Sequence, residues 1–160
     1  MVPTKKASLA AALKQTRPFV SLEQEVYLSL LRTTSELSHA VDQFFRPFGI
    51  TSSQYNVLRI LRGAGADGLC RNAISERMVT ATPDMSRLLD RMEKAGWVTR
   101  ERAEDDRRQV STYITKSGME LLETLEKPIR DFLARLFDGA AVSDLKSILK
   151  FNDQIRTQLS

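Results

Sequence analysis

Apolar residues recur along this chain at helical spacing, interrupted once by a short stretch of alternation. From Leu22 to Phe48 the residues Leu30, Leu37, Val41, Phe44 and Phe48 fall three, four or seven apart, so they share one helical face. Pro47 and Gly49 end that helix. Thr51 and Gln54 form an S/T-x-x-Q capping box, which opens a second helix through about Leu61. The run from Gly63 to Gly68 reads as a turn, and Leu69 as a short strand. A helix from about Arg71 to Met78 follows, then a turn at Val79-Thr80-Ala81.

The pattern changes character over the next forty or so residues. Thr82-Pro83 reads as a helix start, because Thr can cap free N–H groups and Pro suits the first helical position. Met85, Leu88, Leu89 and Met92 repeat at i, i+3, i+4 and i+7. Asp84, Ser86, Arg87, Asp90, Arg91 and Lys94 occupy the other face, and Gly96 stands where a C-terminal glycine belongs. Trp97 and Val98 open a strand that extends to Arg102. In the return strand, Gln109–Thr115, the residues Val110, Thr112 and Ile114 alternate with Ser111 and Tyr113, so one side is expected to face the core and the other solvent. The loop between them, Ala103–Arg108, is densely charged. A helix fit for a major groove, joined to a hairpin whose tip reaches the next minor groove, is a winged helix-turn-helix. Double-stranded DNA is therefore the first partner to test.

Two further helices close the chain. Lys116–Phe137 is expected to kink at Pro128, and Asp138-Gly139 breaks it. Ser143 is expected to cap the last helix, which runs to Leu159 and carries Leu145, Ile148, Leu149, Phe151 and Ile155. The compact centre cannot cover the apolar faces of both terminal helices, so a second copy of the chain is expected to do so.

Composition narrows the classes. A chain of 160 residues that is 42% hydrophobic is long enough to bury a core, and it holds no run near the ~18 apolar residues of a membrane span. Ala7–Leu13 faintly imitates a signal peptide, but Lys14, Arg17 and Pro18 follow without a cleavage site, which favours a cytoplasmic protein. The net charge is +4, and its excess lies in residues 1–20, which hold no acidic residue, and in residues 51–116. That placement suits phosphate contact by the centre of the chain, although a mixed charged surface is also the ordinary solvated state. His39 is the sole histidine and Cys70 the sole cysteine, so an intrachain disulfide is excluded. No catalytic constellation, phosphate loop or metal-spaced cluster is present in the sequence. The expectation is a protein that is not an enzyme and needs neither cofactor nor metal.

The order Asp106-Arg107-Arg108, Val110, Ile114-Thr115, Gly118 resembles the wing signature of the MarR family of bacterial transcription regulators. Met85–Glu93 resembles that family's recognition helix. Gly96-Trp97-Val98 resembles its helix-to-wing junction, with Trp where Leu is more usual. The resemblance extends from about Leu22 to the C-terminus. It implies a mainly α fold with a small β wing: a winged helix-turn-helix flanked by N- and C-terminal dimerisation helices. The chain then divides into a basic tail (1–20), an N-terminal dimerisation helix (21–50), the DNA-binding domain (51–116) and C-terminal dimerisation helices (117–160). The function implied is that of a homodimeric regulator, more often a repressor, on a pseudo-palindromic operator.

The candidate DNA contacts are Thr80, Thr82, Asp84, Ser86, Arg87, Asp106, Arg107 and Arg108. Ser86 and Arg87 can donate to base edges or phosphates, Asp84 can accept from cytosine, and Thr80 and Thr82 are candidates for phosphate. By resemblance, Arg108 enters a minor groove and Asp106 holds it; without the surrounding motif this would be a plain charged loop. Asp90 and Arg91 read as structural. The resemblance also implies a pocket for a small aromatic or carboxylate effector, with His39, Phe44, Phe48, Tyr55 and Arg59 as its candidate lining, each Phe reading equally well as core. Two rival functions stay open. One is redox sensing through Cys70, which precedes a helix and neighbours Arg71, although the family's sensing cysteines usually lie in the N-terminal helical part, where this chain has none. The other is a winged-helix module that binds protein.

Overall fold

Ser8 caps a one-turn helix, α1 (Leu9–Ala12), and Ser21 caps the long helix α2 (Leu22–Phe45). The structure, a computed structural model, describes residues 8–102 and 110–159. At the start of α2 the Ser21 hydroxyl accepts the Gln24 N–H at 3.3 Å, while the Gln24 side chain takes the Val20 N–H at 2.8 Å. This is a near relative of the capping box, and it fixes the helix start at the predicted residue. The end also falls where Pro47 and Gly49 put it. The last turn tightens into a 3₁₀ turn at Arg46–Phe48, and Gly49 adopts φ 67, the left-handed conformation that glycine takes without penalty. Of the whole of α2 only Phe45 is buried. Residues up to Ser52 form one compact unit; those from Ser53 onward form a second.

The second unit holds the winged helix. Helix α3 (Ser52–Ala64) runs a turn past the predicted Leu61, because Gly63 stays helical and the break comes at the left-handed Gly65. A 3₁₀ turn and the two-residue strand β1 (Leu69–Cys70) follow, then α4 (Arg71–Arg77), α5 (Met85–Lys94), β2 (Val98–Arg102) and β3 (Val110–Ile114). The sheet order is β1-β3-β2, antiparallel throughout, with Leu69 opposite Thr112 and Arg100 opposite Thr112 on the other edge. Leu69 is thus the third strand that the sequence suggested. The chain closes with α6 (Lys116–Leu136) and α7 (Val142–Leu159).

Several sequence expectations need correction. Helix α5 does not start at Thr82-Pro83: Asp84 is its N-cap, accepting the Arg87 N–H at 3.0 Å, and a carboxylate is a better acceptor there than a threonine hydroxyl already donating to Thr80 O. Ser143 does not cap α7; it lies inside the first turn, and its carbonyl accepts from Ser147. Trp97 precedes β2 instead of opening it. On β3 only Thr112 is buried; Ser111 and Tyr113 are half-buried, as Val110 and Ile114 are, and Tyr113 lies over Gly68, where an added Cβ would stand 2.5 Å from the ring. Helix α6 keeps close to its expected span, with Pro128 inside it.

The core of the second unit gathers Val57, Leu58 and Leu61 of α3, Ile74 of α4, the full α5 stripe, Val98 of β2 and Leu122 and Leu125 of α6. One joint ties the last of these to the wing. Thr115 donates to Gly96 O at 2.6 Å, accepts the Gly118 N–H at 3.1 Å, and gives its own N–H to Trp97 O. A Cβ on Gly118 would stand 2.3 Å from Trp97 O and 2.8 Å from Ile114 Cγ1, so α6 can begin here only with glycine. Gly118→Ala therefore forces backbone apart and should lower stability by ~1–3 kcal/mol in urea unfolding.

Candidate nucleic-acid interface

Helix α5 is built to be held by one face and to present the other. Met85, Leu88, Leu89 and Met92 are all at most 5% exposed. Its C-terminus closes in a Schellman motif, with Trp97 N–H on Met92 O at 3.0 Å and Gly96 N–H on Glu93 O at 2.9 Å; Gly96 supplies the φ of 76 that this closure needs. Helix, junction and strand β2 are thus one continuous, locally specified piece.

On the outward side, Ser86 and Arg87 are exposed, Arg87 to 84% of its side chain. Both carboxylate oxygens of Asp84 are engaged with the same residue: Oδ1 caps the helix through the Arg87 N–H, and Oδ2 pairs with Arg87 Nε at 3.0 Å. The cap therefore also steers the Arg87 side chain. Thr80 is exposed and Thr82 half-buried, in a turn anchored where Asn56 of α3 accepts the Val79 N–H at 2.8 Å. Asp106, Arg107 and Arg108 lie outside the described residues, so the wing tip is represented by its two strands alone.

Residues missed from the sequence complete the surface. Arg71, at the start of α4, donates to Ser86 Oγ at 3.3 Å and to Asn72, placing a guanidinium beside Ser86. Arg100 of β2 reaches back to α5, pairing with Asp90 at 2.8 Å and Glu93 at 2.5 Å. The hydrogen bond from Arg100 holds the Glu93 carboxyl below its ordinary range, and the same bond raises Arg100. Asp90, which the family resemblance reads as structural, is held in this ion pair. No periodicity argument finds Arg71 or Arg100, since both pairings join residues from different elements.

The pocket candidates fall in both units. In the first, His39 is exposed, Phe44 half-buried and Phe48 38% exposed; Phe44 and Phe48 rings lie 5.4 Å apart. In the second, the Arg59 guanidinium donates to Tyr55 OH at 3.1 Å and lies 5.9 Å from the Tyr55 ring centre. Cys70 is half-buried in β1. Among the described residues, no helix is long and apolar enough to cross a membrane.

Comparison with known proteins decides the family. The MarR family profile matches residues 50–110. A solved MarR transcription factor from Planctomyces limnophilus is 34% identical, with a TM-score of 0.67, and the match covers 86% of this chain and 99% of that one. The chain belongs to the MarR family. Members of this family are transcription regulators rather than enzymes. Sco3205, a MarR-family regulator from Streptomyces coelicolor solved in complex with DNA, shares the fold at 21% identity, with a TM-score of 0.79 over 91% of this chain and 93% of that one. The transcriptional regulator PapX from Escherichia coli is 28% identical over 109 residues, which span 68% of this chain and 66% of PapX.

Proposed function

We propose that the protein is a sequence-specific DNA-binding regulator that works as a cytoplasmic homodimer on a pseudo-palindromic operator. The single observation that carries this is α5: a helix anchored by four buried residues, with Ser86 and Arg87 presented outward and a hairpin joined directly to its end. In this reading Ser86 and Arg87 reach base edges in the major groove, and Asp84 holds Arg87. Thr80, Thr82 and Arg71 face phosphates, Arg108 enters the flanking minor groove with Asp106 as support, and Arg107 adds a further DNA contact. The DNA complex of Sco3205 supports the class of partner.

Dimerisation is supported by what a single chain leaves uncovered. Helix α7 has no buried residue although Leu145, Ile148, Leu149, Phe151 and Ile155 lie along it. In α2, Tyr27 and Leu31 are more than half exposed. Repression is the favoured outcome of occupancy. A small aromatic or carboxylate effector would relieve it by preferring a dimer whose helices no longer match the operator, which needs a preference of a few kcal/mol.

The test is selection of bound duplexes from a random pool, followed by Arg108→Ala on the selected operator with A·T-rich or G·C-rich flanks. Wild type should recover an inverted repeat with half-sites one DNA turn apart, roughly 34 Å. Arg108→Ala should lose affinity mainly on the A·T-rich flanks, where a narrow minor groove concentrates negative potential, while folding is kept. Equal binding of both duplexes by wild type and variant would remove the wing from the mechanism.

A further inference from the structure

Arg100 occupies a place where an arginine needs an explanation. It follows Val98, 2% exposed, by two residues on β2, and stands opposite Thr112, 1% exposed. The register therefore turns its side chain to the inner side of the hairpin, where a cation is costly unless paired. Two carboxylates meet it there. Nη2 lies 2.8 Å from Asp90 Oδ1 and 2.5 Å from Glu93 Oε2, and Nε donates to the same Glu93 oxygen at 2.9 Å. Asp90 and Glu93 are three apart on α5, and Ser86 is four before Asp90, so the three form one row along the helix. That row is gripped at both ends. Arg71 of α4 bonds to Ser86 at its head, and Arg100 of β2 forks onto its tail.

The buried stripe of α5 lies beside this row and fixes the depth of the helix, but apolar contacts are non-directional and constrain rotation about the axis weakly. A planar guanidinium bonded to two carboxylates fixes direction, because its donors are set in a rigid fork. The same fork joins the helix to the strand that leads into the hairpin loop.

We propose that Arg100 is a positioning residue for DNA recognition: through Asp90 and Glu93 it sets the roll of α5 and its angle to the hairpin, so that helix and wing meet DNA in register. This rests on the DNA-binding reading above. Arg100 itself touches no DNA in it.

The experiment compares wild type, Arg100→Gln, Arg100→Lys and Asp90→Asn/Glu93→Gln on the operator selected by wild type and on an unrelated duplex, across a salt series, with thermal unfolding alongside. Arg100→Gln should keep its thermal midpoint within about 5 °C of wild type, as loss of a partly exposed ion pair predicts. Its affinity for the unrelated duplex and its salt slope should stay unchanged, since no phosphate contact is lost. Its operator affinity should fall at least tenfold. Asp90→Asn/Glu93→Gln should show the same selective loss, and Arg100→Lys an intermediate one, because an ammonium can pair with the carboxylates but lacks the planar fork that fixes direction. If Arg100→Gln fails to fold, the carboxylate variant and Arg100→Lys carry the same comparison. A falling salt slope in Arg100→Gln with no defect in the carboxylate variant would mean that Arg100 contacts phosphate, and would overturn the proposal. So would an unchanged operator preference in all three variants. Failure of wild type to select any duplex would overturn the DNA reading itself and this proposal with it.

Discussion

Ile148→Asp/Leu149→Asp yields a folded monomer that binds operator no better than unrelated duplex, a loss of ~10³-fold or more. Both residues are more than half exposed on α7, so the substitutions cost a single chain little internal packing. In a dimer they would place four carboxylates in an apolar seam. Sedimentation should show one species near 18.1 kDa in place of a species of twice that mass. The effect on DNA is large because a monomer brings one recognition helix where two half-sites are read together. Circular dichroism separates this outcome from unfolding. A wild-type chain that sediments as a stable monomer would refute the dimer, and a dimeric variant with weak DNA binding would move the α7 stripe out of the interface.

Arg87→Ala should lower operator affinity by ~1–3 kcal/mol, with relaxed preference at one position of each half-site. The side chain is 84% exposed, and its anchor among the described residues is Asp84, the N-cap of its own helix. Little folding energy depends on it, since an ion pair this exposed contributes at most ~1 kcal/mol. A uniform weakening across all sequences, with the salt slope smaller by about one, would reassign Arg87 to the phosphate backbone. Asp84→Ala is a useful control: it removes the cap, at ~1 kcal/mol of stability, and leaves the arginine in place but unsteered. Unchanged affinity in Arg87→Ala would argue that α5 does not lie in the groove.

The limits of legibility follow the range of the interactions. Helix α5 was readable because its stripe repeats every three or four residues and its end is marked by Gly96, both local signals. The hairpin was readable from the alternation of Val110, Thr112 and Ile114, and the family from the ordered run that includes Asp106-Arg107-Arg108 and Gly118. Helix starts were read less well. Thr82 and Ser143 carry the right chemistry for a cap, but the choice between neighbouring candidates depends on which oxygen reaches a free N–H, as Asp84 does.

The sequence by itself determined the element order, the recognition stripe and the family, because periodicity, caps and motif spacing are properties of consecutive residues. Tertiary structure alone decided what joins those elements. Gly118 looks like any helix-start glycine until the Trp97 carbonyl is found where its Cβ would be. Arg71 and Arg100 look like surface arginines until folding carries one to Ser86 and the other to Asp90 and Glu93. Such pairings depend on the strand register and on how the helices cross. Those are set by the packing of the whole core, and no spacing along the chain encodes them.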